Sequence, residues 1–191
     1  MKYIAVFCGS SSGNGGEFIE QATSLGEIIA RKGYGLVYGG AHVGLMGAVA
    51  DGVLSQGGEV IGVIPEFLKK KELEHKSITK IHVVETMHDR KALMNELSDA
   101  VIALPGGYGT LEELFEMLTW SQLALHKKAI GILNVNGYYD PLIEMSEKMI
   151  EKGFLKEEYR KLLIVESKVD NLLDKMHKFE PLKNDKWFEV K

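Results

Sequence analysis

Seven short runs of apolar residues, spread along the whole chain, contain almost no polar member: Tyr3–Cys8, Gly35–Tyr38, Val60–Ile64, Ile81–Val84, Ala100–Leu104, Ala129–Leu133 and Leu163–Val165. A strand with one wet face alternates polar and apolar residues. A continuously apolar run is a strand covered on both faces. Helical spacing fills the gaps between the runs. Phe18, Ala22, Leu25 and Ile29 recur at steps of four, three and four, and Leu111, Leu114, Phe115 and Leu118 form a second such stripe. Strand–helix alternation sustained along the chain predicts an α/β fold, a doubly wound and mainly parallel sheet flanked by helices. A chain of 191 residues fits one domain. We read residues 1–180 as a single nucleotide-binding α/β domain and 181–191 as a surface tail, polar apart from Trp187, Phe188 and Val190.

The net charge of −4 offers no global basic field for a nucleic-acid polymer or an anionic membrane. An anionic ligand must be gripped locally. Cys8 is the only cysteine, which excludes an intrachain disulfide. No apolar run reaches the roughly 18 residues of a membrane span. The apolar start at Tyr3 reads as a first strand rather than a signal peptide, so the expected location is the cytoplasm.

Ligands of open α/β sheets sit outside the carboxyl ends of the strands, and the unusual residues lie there. The first strand ends in Cys8-Gly9-Ser10-Ser11-Ser12-Gly13. The second ends in Gly39-Gly40, with Gly44 and Gly47 following. The fifth runs into Pro105-Gly106-Gly107-Tyr108-Gly109-Thr110. Glycines allow close backbone approach, and their N–H groups can point at an anion. A helix beginning at about Thr110 adds the donors and positive dipole end of its N-terminus, a place for phosphate. Thr110-Leu111-Glu112-Glu113 also reads as a capping box, with Thr110 at the N-cap and Glu113 three residues on. On that reading Glu113 feels the dipole and accepts backbone N–H bonds, which favours its charged form. Gly39 and Gly44 have the Walker spacing, but Leu45 and Met46 stand where Lys and Ser/Thr are needed, and the first loop lacks the dinucleotide fingerprint. A single phosphate is therefore expected rather than a triphosphate or dinucleotide.

Met87-His88-Asp89-Arg90-Lys91 opens a helix after the fourth strand. Two cations at a helix start oppose the dipole. They are either solvated surface charges or, for Arg90, a fork that clamps phosphate or ribose. The six histidines show no metal-binding spacing, and no nucleophile-elbow motif is present. Between Pro65 and Lys80, around Lys69-Lys70-Lys71, the chain reads as a solvated loop, a short helix or a flap over the site.

The stretch from Pro105 to Glu113 resembles the P-G-G-x-G-T-x-x-E motif of the LOG family, the cytokinin riboside 5′-monophosphate phosphoribohydrolases. Arg90-Lys91 resembles that family's arginine–lysine pair. Cys8-Gly9-Ser10-Ser11, Val37-Tyr38-Gly39-Gly40 and Gly44-Leu45-Met46-Gly47 extend the likeness, which runs from about Lys2 to Phe154. The resemblance implies a Rossmann-like sheet, a homodimer, and release of free base and ribose 5-phosphate. It implies Arg90 and Glu113 as the catalytic pair. Nucleotide contacts are expected from Gly9, Ser10, Gly40, Met46 and Met87, from Lys91, and from Gly106, Gly107, Tyr108, Gly109, Thr110 and Glu112. Thr119 and Glu72 complete the set, the latter on a loose match over Lys70–Glu74. No metal and no cofactor are expected. Members of this family are often labelled lysine decarboxylases, but neither a Schiff-base lysine nor a ring-nitrogen partner for pyridoxal phosphate can be placed.

The rival reading is a non-catalytic carrier of a nucleotide or phosphorylated cofactor, since related Rossmann-like proteins bind phosphorylated pterins. A carboxylate at Glu113 beside a phosphate loop argues for an enzyme, because a carrier gains nothing from a second negative charge there. An oxidoreductase is a third, weaker reading, opposed by the missing fingerprint. Leu114, Phe115, Met117, Leu118, Trp120, Leu123 and Leu125 give the helix after the motif more apolar surface than one sheet face needs. That surplus supports a homodimer. The alternative is a fully buried helix.

Overall fold

The computed structural model describes residues 1–69 and 73–182. Its strands are β1 (Tyr3–Phe7), β2 (Gly35–Tyr38), β3 (Val60–Pro65), β4 (Lys80–Val84), β5 (Ala100–Ala103), β6 (Ala129–Leu133) and β7 (Leu163–Glu166). The helices are α1 (Glu17–Arg31), α2 (Gly44–Ser55), α3 (Glu66–Lys69), α4 (Met87–Leu97), α5 (Tyr108–Gln122), α6 (Asp140–Glu151) and α7 (Val169–His177). The strands form one sheet in the order β4-β3-β2-β1-β5-β6-β7, and every pair in it is parallel. This is the Rossmann-like architecture expected from the apolar runs, each of which is a strand.

Both faces of the sheet are covered, which explains why the runs do not alternate. Ile4 and Val6 of β1 join Leu36 and Ile102 under α1, α2 and α7, while Ala5 and Phe7 join Val37 and Val101 under α4 and α5. The edge strands β4 and β7 are partly exposed, while the inner strands are buried apart from Tyr3 at the start of β1. Each fully buried Leu or Ile contributes about 2 kcal/mol of transfer free energy. Gly26 and Gly52 let α1 and α2 cross backbone to backbone. A methyl group at Gly26 would lie 2.2 Å from the Val49 carbonyl oxygen, and one at Gly52 would lie 2.3 Å from that of Thr23.

From β1 the chain winds outward through β2, β3 and β4, then returns to β5 on the other side of β1 and winds out through β6 and β7. The switch point is between β1 and β5, and a crevice opens outside their carboxyl ends.

Of the two helix starts beside the crevice, that of α4 follows the sequence reading and that of α5 does not. In α4, Thr86 is the N-cap: its hydroxyl accepts from the Asp89 N–H, and the Asp89 carboxylate accepts from the Thr86 N–H, each at 3.1 Å. This is a true capping box, and Asp89 places a negative charge in the first turn ahead of Arg90 and Lys91. The expected capping box in α5 does not form. That helix begins earlier, with Gly107 as N-cap and Tyr108 as first residue, so Thr110 is a buried third residue and Glu113 the sixth. A glycine N-cap has no side chain to demand a later start, and burial of Thr110 against Gly106 draws the helix back.

Candidate active site

The loops after β1, β2 and β5 close on one another in the crevice. The Gly9 N–H donates to Pro105 O at 3.0 Å, and the Leu45 N–H donates to Gly9 O at 3.1 Å. Gly44 has φ +57°, and a methyl there would lie 2.4 Å from the Ser10 carbonyl carbon, so only glycine fits. On the β5 side, a methyl at Gly106 would meet Thr110 Oγ1 at 2.1 Å. No side chain caps the first turn of α5. Its leading N–H groups are left for solvent or an anion at the positive end of the helix dipole. Tyr108, 93% exposed, stands at the rim.

Arg90 and Glu113 meet beneath this rim. Each is only 8% exposed, and Arg90 Nη1 lies 3.7 Å from Glu113 Oε1. Arg90 is therefore no solvated surface charge. Its Nε donates to the Val63 carbonyl at 3.2 Å, and its terminal nitrogens pass over Gly39, where a methyl would fall 1.9 Å from Nη2. Gly39 is thus the space that the guanidinium occupies, and Met46 Sδ would lie 3.0 Å from the same methyl. Met87 borders Arg90, its Sδ 3.9 Å from Nη1.

The electrostatics of Glu113 differ from the sequence expectation. Burial pushes its carboxyl above the ordinary value, and the nearby Arg90 cation offsets this only in part. In the second turn of α5 it is beyond the uncapped N–H groups that would have favoured the charge. Cys8 shares the pocket. Burial first, and then the Glu113 carboxylate, hold its thiol well above the usual range and so favour the neutral form.

Lys91 goes elsewhere. Its ammonium hydrogen-bonds to Glu112 and, at 3.1 Å, to Glu116, joining α4 to α5. Burial alone would lower its pKa, but those two carboxylates outweigh burial and raise it. Glu112 and Glu116, one turn apart, share one face, while Glu113 turns to Arg90.

Met87 and, across Gly39, Met46 therefore border Arg90, while Gly9, Ser10, Gly40 and the 106–110 segment lie on the loops at the same end of the sheet. Thr119 does not join them in this chain. It is exposed on the opposite side of α5, its hydroxyl donates to Phe115 O, and it lines a groove of about 360 Å³ against α6 with Leu118, Met149 and Phe154. Glu72 lies outside the described residues. Just beyond it, residues 73–75 are laid over the end of β2: the His42 N–H donates to Leu73 O at 3.0 Å, and the His75 N–H donates to Gly40 O at 2.9 Å. This strap lies within the Pro65–Lys80 stretch for which a flap over the site is one of the sequence readings, but its residues are not singled out there. Sequence reasoning missed Tyr138 and Tyr139, whose hydroxyls donate to Gly106 O and Leu104 O. Their position just after β6, at the same end of the sheet, was the signal available.

Comparison with known proteins decides the family. Residues 46–176 match a family described as "Possible lysine decarboxylase". The probable cytokinin riboside 5′-monophosphate phosphoribohydrolase LOGL1 of Oryza sativa subsp. japonica is 48% identical over 92% of this chain and 79% of its own. The cytokinin riboside 5′-monophosphate phosphoribohydrolase LOG of the same plant is 43% identical over 93% of this chain and 74% of its own. The chain belongs to the LOG family. Among solved structures, a molybdenum cofactor binding protein from Rippkaea orientalis shares the fold of this LOG-family chain. It has a TM-score of 0.70 and 22% identity, over 93% of this chain and 96% of its own. Lys91, the lysine of the pair, is engaged by the Glu112 and Glu116 carboxylates, which raise its pKa.

Proposed function

We propose that this protein hydrolyses the N-glycosidic bond of a nucleoside 5′-monophosphate, of the cytokinin or adenosine type, to free base and ribose 5-phosphate. The observation that carries this reading is the buried Arg90–Glu113 pair set beside an uncapped, glycine-built helix N-terminus. The phosphate sits on the first turn of α5 and the 106–110 segment. Anchored there, the nucleotide extends toward Arg90 and Glu113, and binding energy at the phosphate orients the reacting sugar.

Breaking the glycosidic bond builds positive charge on the ribose, as in other oxocarbenium-like transition states. A carboxylate withheld from water acts strongly on such charge. Glu113 supplies it and orients the attacking water or the ribose hydroxyls. Arg90, its Nε committed to the sheet, keeps terminal nitrogens for Glu113 and for ribose or phosphate oxygens. Met46 and Met87 form apolar wall near the pair. Lys91 acts through Glu112 and Glu116, holding α4 and α5 in register. The protein works as a homodimer whose contact includes the α5–α6 groove.

A carrier of the same fold would bind nucleotide without turnover, and a buried carboxylate beside the anion would only weaken it. The experiment is Glu113→Gln, with products of adenosine monophosphate separated by chromatography. The parent releases adenine and ribose 5-phosphate. The variant loses about a hundredfold or more in kcat, the scale of one lost electrostatic stabiliser. Its melting temperature is no lower than the parent's, because burial disfavours the charge that is removed. A variant that releases adenine at the parent's rate would remove Glu113 from the mechanism.

A further inference from the structure

Three consecutive carbonyls in the turn after β5 are each taken by a donor. Leu104 O accepts from the Tyr139 hydroxyl at 2.6 Å, Pro105 O from the Gly9 N–H at 3.0 Å, and Gly106 O from the Tyr138 hydroxyl at 2.5 Å. The third bears on the ligand. The Gly106–Gly107 peptide joins two residues without side chains, and around Gly107 there is open space. No side chain on either residue holds the plane of this peptide, although Gly106 itself packs against Thr110 and Gly9. In a trans peptide the C=O and N–H point to opposite sides. Holding the Gly106 carbonyl on Tyr138 therefore fixes the direction of the Gly107 N–H, at the N-cap of α5.

Tyr138 is itself held. Its ring meets Phe18 edge-on at 6.0 Å and Tyr139 at 5.0 Å between centroids. The turn that delivers it is built on left-handed Asn136 (φ +50°) and Gly137 (φ +71°), and Asn134 Oδ1 accepts the Tyr139 N–H at 2.8 Å. Although the residue is 44% exposed, these contacts aim its hydroxyl at the Gly106 carbonyl and so select one orientation of the peptide.

We propose that Tyr138 is a positioning residue for the substrate phosphate: its hydroxyl locks the Gly106–Gly107 peptide so that the Gly107 N–H faces the anion. The inference rests on the reading of the 106–110 segment as the phosphate site. Tyr138 touches no reacting atom. Without its hydroxyl the flipped peptide is populated, and a carbonyl oxygen then faces the phosphate. Binding weakens by the fraction of protein in that state.

Tyr138→Phe keeps the ring and its edge contacts and removes only the donor. The expected result is a rise of about fivefold to tenfold in KM for adenosine monophosphate and in the inhibition constant of ribose 5-phosphate, the scale of one hydrogen bond. The inhibition constant of adenosine, which lacks the phosphate, stays unchanged. A general loosening of the site would instead weaken adenosine and ribose 5-phosphate alike. Unchanged constants for both phosphates, or equal losses for adenosine, would overturn the proposal while leaving the phosphate site in place. A parent enzyme that ribose 5-phosphate does not inhibit would remove the phosphate site, and the role of Tyr138 with it.

Discussion

Glu113 and Arg90 lie at the same depth, yet the pocket treats them differently. Arg90 is supported by the Val63 carbonyl and the space over Gly39, whereas the fold supplies Glu113 with little besides Arg90 itself. Burial therefore raises the carboxyl's pKa despite the cation. The sign of this shift has two consequences. On the proposed mechanism the ionised form does the chemistry, so kcat/KM falls as pH drops through the raised value of the free protein, and its acid limb lies above the ordinary glutamate value of about 4.3. Since the fold prefers the neutral form, this residue's contribution to stability rises over the same descent, between the raised value and the ordinary one. Acidification through that window is expected to lower kcat/KM while Glu113 itself favours the folded state. A pH profile of kcat/KM set beside that of the melting temperature, each measured in the parent and in Glu113→Gln, isolates the effect. A kcat/KM that increases on acidification through the window would make Glu113 a proton donor instead of an anion.

At the scale of elements, the strands and the start of α4 were legible and the start of α5 was not. A run such as Val60–Ile64 can be satisfied only between two layers, so its apolar continuity carried the fold class and the position of the crevice. The start of α5 was misread because Thr-x-x-Glu has the pattern of a capping box. The actual cap is Gly107, whose part is played by backbone N–H groups that leave no side-chain signature. Arg90, Glu113 and the glycine loops were found from the motif. Tyr138 was not, since a side-chain bond to a carbonyl 32 residues away in sequence has no local pattern. The strap at residues 73–75 is too short to show a period. The α1–α2 crossing carries its own prediction. Gly26→Ala sets a methyl against the backbone of α2, an overpacking worth about 2 kcal/mol, and should lower the melting temperature by about 5 °C. Its distance from the pocket should leave kcat/KM unchanged. An unchanged melting temperature would show that the two helices separate without cost.

The whole molecule is a sheet with the proposed site at one end and an apolar groove on one side. Along α5, Leu114 and Met117 are spent on the core, Phe115, Leu118, Trp120 and Leu123 are half-buried, and Leu125 is 63% exposed. Across the groove Phe154 is 87% exposed. The surplus of apolar surface suits a second copy, and sedimentation at micromolar concentration should give twice the monomer mass. A monomer alone would remove the dimer. No helix among the described residues is long and apolar enough to cross a membrane. The account depends most on a single division of labour, with the phosphate held at α5 and the glycosidic bond broken at Arg90 and Glu113. Comparing kcat/KM for adenosine monophosphate and for adenosine, followed as free adenine, tests that division directly. The monophosphate should be favoured by about a hundredfold or more, the scale of two charge-assisted hydrogen bonds. Equal values for the two substrates, or no adenine from either, would contradict it.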